Sequence, residues 1–172
     1  PIYPAALADC SKAIEFQPED DHNYYMRGSI HAEMKDYPAA LVDFSKAIEL
    51  QPEEGYYPMR GDTYREMKDY PAALADYTKA IELVPQMSYN YSARGSTRSM
   101  MKDYTGALAD LSKAIELEPK DPYGYAFRGR TYLEWNDASN AQADFAEVET
   151  LLSEEGGLAY QGGPECVVAS GY

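Results

Sequence analysis

Histidine, cysteine and tryptophan are scarce in this chain of 172 residues, which has two His, two Cys and one Trp. His22 and His31 lie nine residues apart, and Cys10 and Cys166 show neither CxxC spacing nor a histidine neighbour. A disulfide framework, a zinc cluster and a Ser–His or Cys–His catalytic pair therefore lack the residues they need. Basic residues are also few. Fifteen Lys and Arg against 29 Asp and Glu leave a formal charge of −14, which repels phosphate backbones and anionic lipid. Neither a run of roughly 20 apolar residues nor a charged leader with an apolar core is present. The expectations are a soluble chain, cytoplasmic, with no membrane insertion, no nucleic-acid partner, no metal and no cofactor, and not an enzyme. Hydrophobic residues still make up 45%, enough to bury a core.

What the chain has in quantity is itself, repeated. Tyr3-Pro-Ala-Ala-Leu-Ala-Asp returns almost unchanged at Tyr37, Tyr70 and Tyr104, at intervals of 34, 33 and 34 residues. Each copy leads into Lys-Ala-Ile-Glu and then a proline, at Pro18, Pro52, Pro85 and Pro119. An Arg-Gly pair recurs between them, at Arg27-Gly28, Arg60-Gly61, Arg94-Gly95 and Arg128-Gly129. The single-residue deletion in the second full copy falls before its glycine, near residues 53–55, in a turn entering a helix.

Local physics gives the shape of the unit. Ala40, Leu41, Phe44, Ala47 and Ile48 recur at three- and four-residue steps, which predicts an amphipathic helix. Asp36 suits its N-cap, Pro38 its first turn, and Pro52 stops it. Upstream, Tyr24, Arg27, Gly28 and His31 form a stripe on a second helix, whose glycine lets the partner helix approach closely. One such hairpin cannot bury its apolar face alone, so neighbours must stack.

At these residues the chain resembles the tetratricopeptide repeat family. The first full repeat offers Tyr24, Arg27, Gly28, His31, Ala40, Phe44, Ala47 and Pro52 at the family's pattern positions, and the second Tyr57, Arg60, Gly61, Tyr64, Ala73, Tyr77, Ala80 and Pro85. The third offers Tyr91, Arg94, Gly95, Arg98, Ala107, Leu111, Ala114 and Pro119, and the most degenerate Tyr125, Arg128, Gly129, Tyr132, Ala141, Phe145, Val148 and Ser153. The resemblance implies an all-α, right-handed superhelical solenoid of antiparallel helix-turn-helix hairpins. Its expected divisions are 1–18 as the second helix of a partial repeat, repeats at 19–52, 53–85, 86–119 and 120–153, and a Gly-rich tail at 154–172 that is flexible or folds back.

Arginine stands where the family usually has an apolar residue. Arg27, Arg60, Arg94 and Arg128 recur in step with Asp43, Asp76, Asp110 and Asp144, so structural ion pairs are expected rather than a cationic clamp for a ligand. Cys10 occupies the aromatic packing slot of the partial repeat and is expected to be a small buried hydrophobe. Asn90-Tyr91-Ser92 matches a glycosylation acceptor by composition but begins a helix.

The resemblance also implies a concave groove lined by the first helix of each hairpin. Carried over position by position, its expected lining includes Tyr25, Met26 and Ser29, then Met59, Asp62 and Glu66, then Tyr89, Ser92, Ser96 and Met100, and finally Tyr123, Phe127 and Arg130. The Lys and Asn with which some family members grip a terminal carboxylate are missing. Aromatic, Met-bearing and mildly acidic, such a groove suits a protein or peptide partner with some basic character. The expected function is an interaction scaffold holding an extended peptide or helix. The alternative is a structural element that self-associates as a homo-oligomer through its repeat ends or its tail, because the hairpin containing Tyr3 to Gln17 lacks a first helix to cover its apolar face.

Overall fold

The computed structural model describes residues 3–53 and 55–154, and the described residues form nine α-helices and no strand. They are α1 (Tyr3–Phe16), α2 (Asp21–Glu33), α3 (Tyr37–Leu50), α4 (Tyr56–Glu66), α5 (Tyr70–Leu83), α6 (Ser88–Met100), α7 (Tyr104–Leu117), α8 (Pro122–Glu134) and α9 (Ala138–Glu154). The chain divides into two compact units, Pro1–Gln86 carrying α1 to α5 and Met87–Tyr172 carrying α6 to α9. The expected tail and Cys166 lie outside the described residues, from 155 onward.

Each second helix starts and stops for a local reason. The Asp36 carboxylate accepts the Ala39 amide at the N-cap of α3, Asp69 does the same for Ala72 in α5, and Asp103 for Gly106 in α7. These bonds satisfy amides that the helix itself leaves unpaired. Pro38 and Pro71 sit in the first turn, where no amide is needed. The helices then end at Leu50, Leu83 and Leu117, two residues before a proline.

The turn inside each hairpin is equally regular. Lys35, Lys68, Lys102 and Asn136 have φ of 60°, 63°, 63° and 62°. In the first hairpin the Asp36 amide donates to the His31 carbonyl and Lys35 to Ala32, the paired bonds of a Schellman ending. The same pattern joins Asp69 to Tyr64 and Asp103 to Arg98. Lysine at this left-handed position carries a Cβ penalty that glycine lacks. Lys68→Gly is therefore expected to raise stability by about 0.5 kcal/mol, after the greater unfolded-state freedom of glycine is set against the relief, as a shift in the urea midpoint would show. Lys79→Gly, in the middle of α5, should lower it instead.

In the first unit, α2 packs on α3 and α4 on α5 through Gly28 and Gly61. A Cβ at Gly61 would stand 2.9 Å from the Tyr77 ring, so only glycine permits this separation. Ala40, Phe44 and Ala47 are fully buried, as are Ala73, Tyr77 and Ala80, while Leu41 and Ile48 are only half-buried. The missing residue of the second full repeat coincides with a short first helix: α4 has 11 residues against 13 in α2, and its N-cap Gly55 supplies no side-chain bond. Tyr56 holds that end by donating its hydroxyl to the Asp21 carboxylate of α2. Burial, and then this hydrogen bond, push the phenol above its ordinary pKa. Cys10 departs from expectation. It is half-buried because, among the described residues, α1 buries none fully and packs chiefly on α2.

In the second unit Gly95 meets Leu111, and Ala107, Leu111 and Ala114 form the α6–α7 core. Asn90 lies inside α6 and is 2% exposed, which closes it to glycosylation.

Candidate functional site

The four arginines share one geometry. Arg27 Nε and Nη2 donate to the two oxygens of Asp43 at 2.8 and 2.7 Å, and Arg60 does the same to Asp76 at 2.8 and 2.8 Å. Arg94 grips Asp110 at 2.9 and 2.8 Å, and Arg128 grips Asp144 at 2.9 and 2.7 Å. Each fork joins the first and second helices of one hairpin. The remaining Nη1 of Arg27 donates to Ser11, that of Arg60 to Ser45 and that of Arg128 to Ser112, all on the second helix of the preceding hairpin. A tyrosine ring lies against each guanidinium, with the guanidinium carbon 5.7 to 6.0 Å from the ring centre. The hydrogen bond to aspartate holds each guanidinium above its ordinary pKa, against an opposing effect of burial. These forks stitch helices together, and their donors already have partners. This partner has a sequence signal: Ser stands just before Lys-Ala-Ile-Glu at positions 11, 45 and 112, and Thr78 stands there in the remaining copy.

Arg98 makes an ion pair that its place in the repeat pattern does not announce. It stands where His31, Tyr64 and Tyr132 stand in the other hairpins, and its Nη1 donates to Asp110 at 2.7 Å, beside the Arg94 fork. His31 lies similarly between Asp36 and Asp43, at 3.7 and 4.0 Å.

In the first unit the expected lining residues separate into two groups. Tyr25 packs against Tyr56 of the neighbouring first helix, with ring centres 5.0 Å apart, and against Phe44 at 6.0 Å. It therefore fills the space between α2 and α4 and is only half-exposed. Ser29 donates back to the Tyr25 carbonyl, and Asp62 accepts the Tyr77 hydroxyl at 2.7 Å and pairs with Arg65. Met26 and Glu66 are exposed, and Met59 is half-buried.

In the second unit α6 and α8 lie side by side. Ser99 donates to Glu134 at 3.0 Å, and Arg130 Nε donates to the other Glu134 oxygen at 3.2 Å. Between the helices is a small cleft of about 20 Å³ lined by Ser96, Ser99, Met100, Phe127, Arg130, Thr131 and Glu134. Four expected residues, Ser96, Met100, Phe127 and Arg130, meet there. Tyr89 is exposed at the start of α6, and Tyr123 at the start of α8 is 68% exposed. Ser92 is a correction, since it is 7% exposed. It shares a flank of α6 with buried Ser88 and Ser99, and that flank carries the contact to α8, so Ser92 faces packing rather than solvent.

Comparison with known proteins assigns the repeat. A tetratricopeptide repeat model matches residues 24–54, and a second matches 55–87. Residues 24–87 are tetratricopeptide repeats. Similar solved structures include MamA 41-end from Desulfovibrio magneticus RS-1, 20% identical over 90% of this chain and 88% of that one, with a TM-score of 0.84. Another crystal structure of MamA is 17% identical over 89% of this chain and 90% of that one, at 0.82. YrrB, described as a TPR protein with an unusual peptide-binding site, is 20% identical over 88% of this chain and 79% of that one, at 0.74. At such identities the likeness is one of fold. No curated protein sequence matches the chain.

The tetratricopeptide repeats make the chain a protein–protein interaction scaffold, a role for which this fold is typically non-catalytic. Among the described residues no three His, Cys, Asp or Glu converge as metal ligands. No helix among them is long and apolar enough to cross a membrane.

Proposed function

We propose that the exposed faces of the first helices hold an extended peptide or a helix of a partner protein, with repeats running 19–52, 53–85, 86–119 and 120–153. The observation that carries this reading is the α6–α8 cleft. Ser96, Met100, Phe127 and Arg130 come from two helices of successive repeats and converge on one open-sided hollow, with Tyr123 standing free at the start of α8. Met100 and Phe127 offer apolar surface among Ser96, Ser99, Arg130, Thr131 and Glu134, a mixture that suits a ligand side chain laid across the two helices. In the first unit, exposed Met26 lies on the same face of α2 as exposed Glu33, and exposed Glu66 lies on α4. That combination favours a ligand with apolar and basic residues. The peptide-binding site ascribed to YrrB is consistent with such a use of the fold.

The test is an array of short synthetic peptides, half of them pairing apolar residues with Lys or Arg and half with Asp or Glu. Binding of the intact chain to members of the basic set is expected. Tyr123→Ala and Phe127→Ala should each weaken it by about tenfold, the effect of removing an interface anchor. Unchanged affinity in Tyr123→Ala, whose side chain is too exposed to matter to the fold, would sink the reading.

A further inference from the structure

Methionine ordinarily ranks among the more buried side chains, yet none of the seven here lies in a core. Met26, Met34, Met67, Met87, Met100 and Met101 are 42 to 46% exposed, and Met59 is half-buried. Their positions are ordered. Met34, Met67 and Met101 end first helices, each just before a lysine of positive φ. Met26 and Met59 occupy one repeat position on α2 and α4, and Met100 lines the α6–α8 cleft beside Phe127. The buried positions are filled instead by Ala, Phe, Tyr, Leu and Ile, which carry no sulfur.

An exposed thioether reacts with peroxides. A sulfur lone pair attacks one peroxide oxygen, the O–O bond breaks as the S–O bond forms, and water leaves. The sulfur is oxidised by two electrons and the peroxide is reduced. The product is a polar sulfoxide that reductases can reverse. In most folds this damages the core, but here the cores hold no thioether to lose. The change falls on the surfaces alone, where a flexible apolar contact becomes a polar one.

We propose that peroxide acts on this protein as a reversible switch of ligand binding, through Met26 and Met100, without unfolding it. The proposal rests on the groove reading above. To test it, the intact chain is treated with hydrogen peroxide, and its sulfoxides are mapped by peptide mass spectrometry. Its thermal unfolding and its affinity for a peptide selected from the array are then measured.

Oxidation at the six exposed methionines, an unchanged melting temperature and a fall in affinity of about tenfold for each sulfoxide covered by ligand are expected. Methionine sulfoxide reductases should restore binding. Measured against its own untreated affinity, whatever that is, the variant Met26→Leu with Met100→Leu should lose less than about twofold after peroxide, because leucine carries no sulfur to oxidise, while Cys10→Ser should respond like the parent. Equal affinity before and after oxidation overturns the switch alone. So does unfolding by peroxide, or loss of binding by the double leucine variant after treatment. If the untreated chain binds no peptide, the groove reading falls and the switch with it.

Discussion

Replacing Asp76 with alanine is expected to lower the stability of the first unit by about 3 kcal/mol, measured by urea denaturation. Asp76 is buried, and its two oxygens take Nε and Nη2 of Arg60 at 2.8 Å each. Without it a mostly buried guanidinium keeps only the Ser45 hydroxyl and the flank of Tyr64. The cost arises chiefly from that stranded charge. Two comparisons isolate the mechanism. Glu49→Ala removes an exposed ion pair to Lys46 and should leave the urea midpoint almost unchanged. Arg60→Ala combined with Asp76→Ala should cost clearly less than the sum of the single changes. An Asp76→Ala effect no larger than that of Glu49→Ala would show that the forks do not hold the hairpins. Because a small domain holds only about 5–15 kcal/mol in all, a loss of the expected size should be visible as early melting of the hairpin that this fork closes.

Gly95→Ala is expected to destabilise the second unit by about 2 kcal/mol. Its new Cβ would stand 2.8 Å from Leu111 Cγ and 3.1 Å from the Ala107 carbonyl oxygen. Leu111 is fully buried and cannot swing aside. Leu111→Ala alone should cost about 2–5 kcal/mol through the cavity it leaves. Together the two changes should cost less than their sum, since the added methyl enters the space that the leucine vacated. Strict additivity would mean that this contact is not what fixes the spacing of α6 and α7.

Much of this architecture could be read in the sequence, because its causes are local. Asp36 and Asp69 cap helices through amides three residues on, and a proline placed two residues after Leu50 or Leu83 needs no distant partner to stop one. Period carried the rest of the fold. A motif returning at intervals of 34, 33 and 34 residues fixes which helix packs on which. It also put Arg60 and Asp76 in step before any distance was known.

The candidate site was less legible, because adjacent positions on one helix separate by their neighbours. Tyr25 and Met26 adjoin in sequence, yet Tyr25 stacks on Tyr56 while Met26 faces solvent. Ser92 and Ser96 are one turn apart, and only Ser96 reaches the cleft. Arg98 could not be foreseen as a second partner of Asp110, since its place in the pattern is filled by His or Tyr elsewhere.

The sequence by itself determined the repeat, its helix starts and stops and the recurrence of arginine in step with aspartate, all set by short-range bonding and by period. Tertiary structure alone decided which residues of each first helix remain open to a partner. That outcome depends on how closely neighbouring first helices approach, which is set by side chains about a full repeat away in the chain, as Tyr56 is from Tyr25 and Glu134 from Ser99.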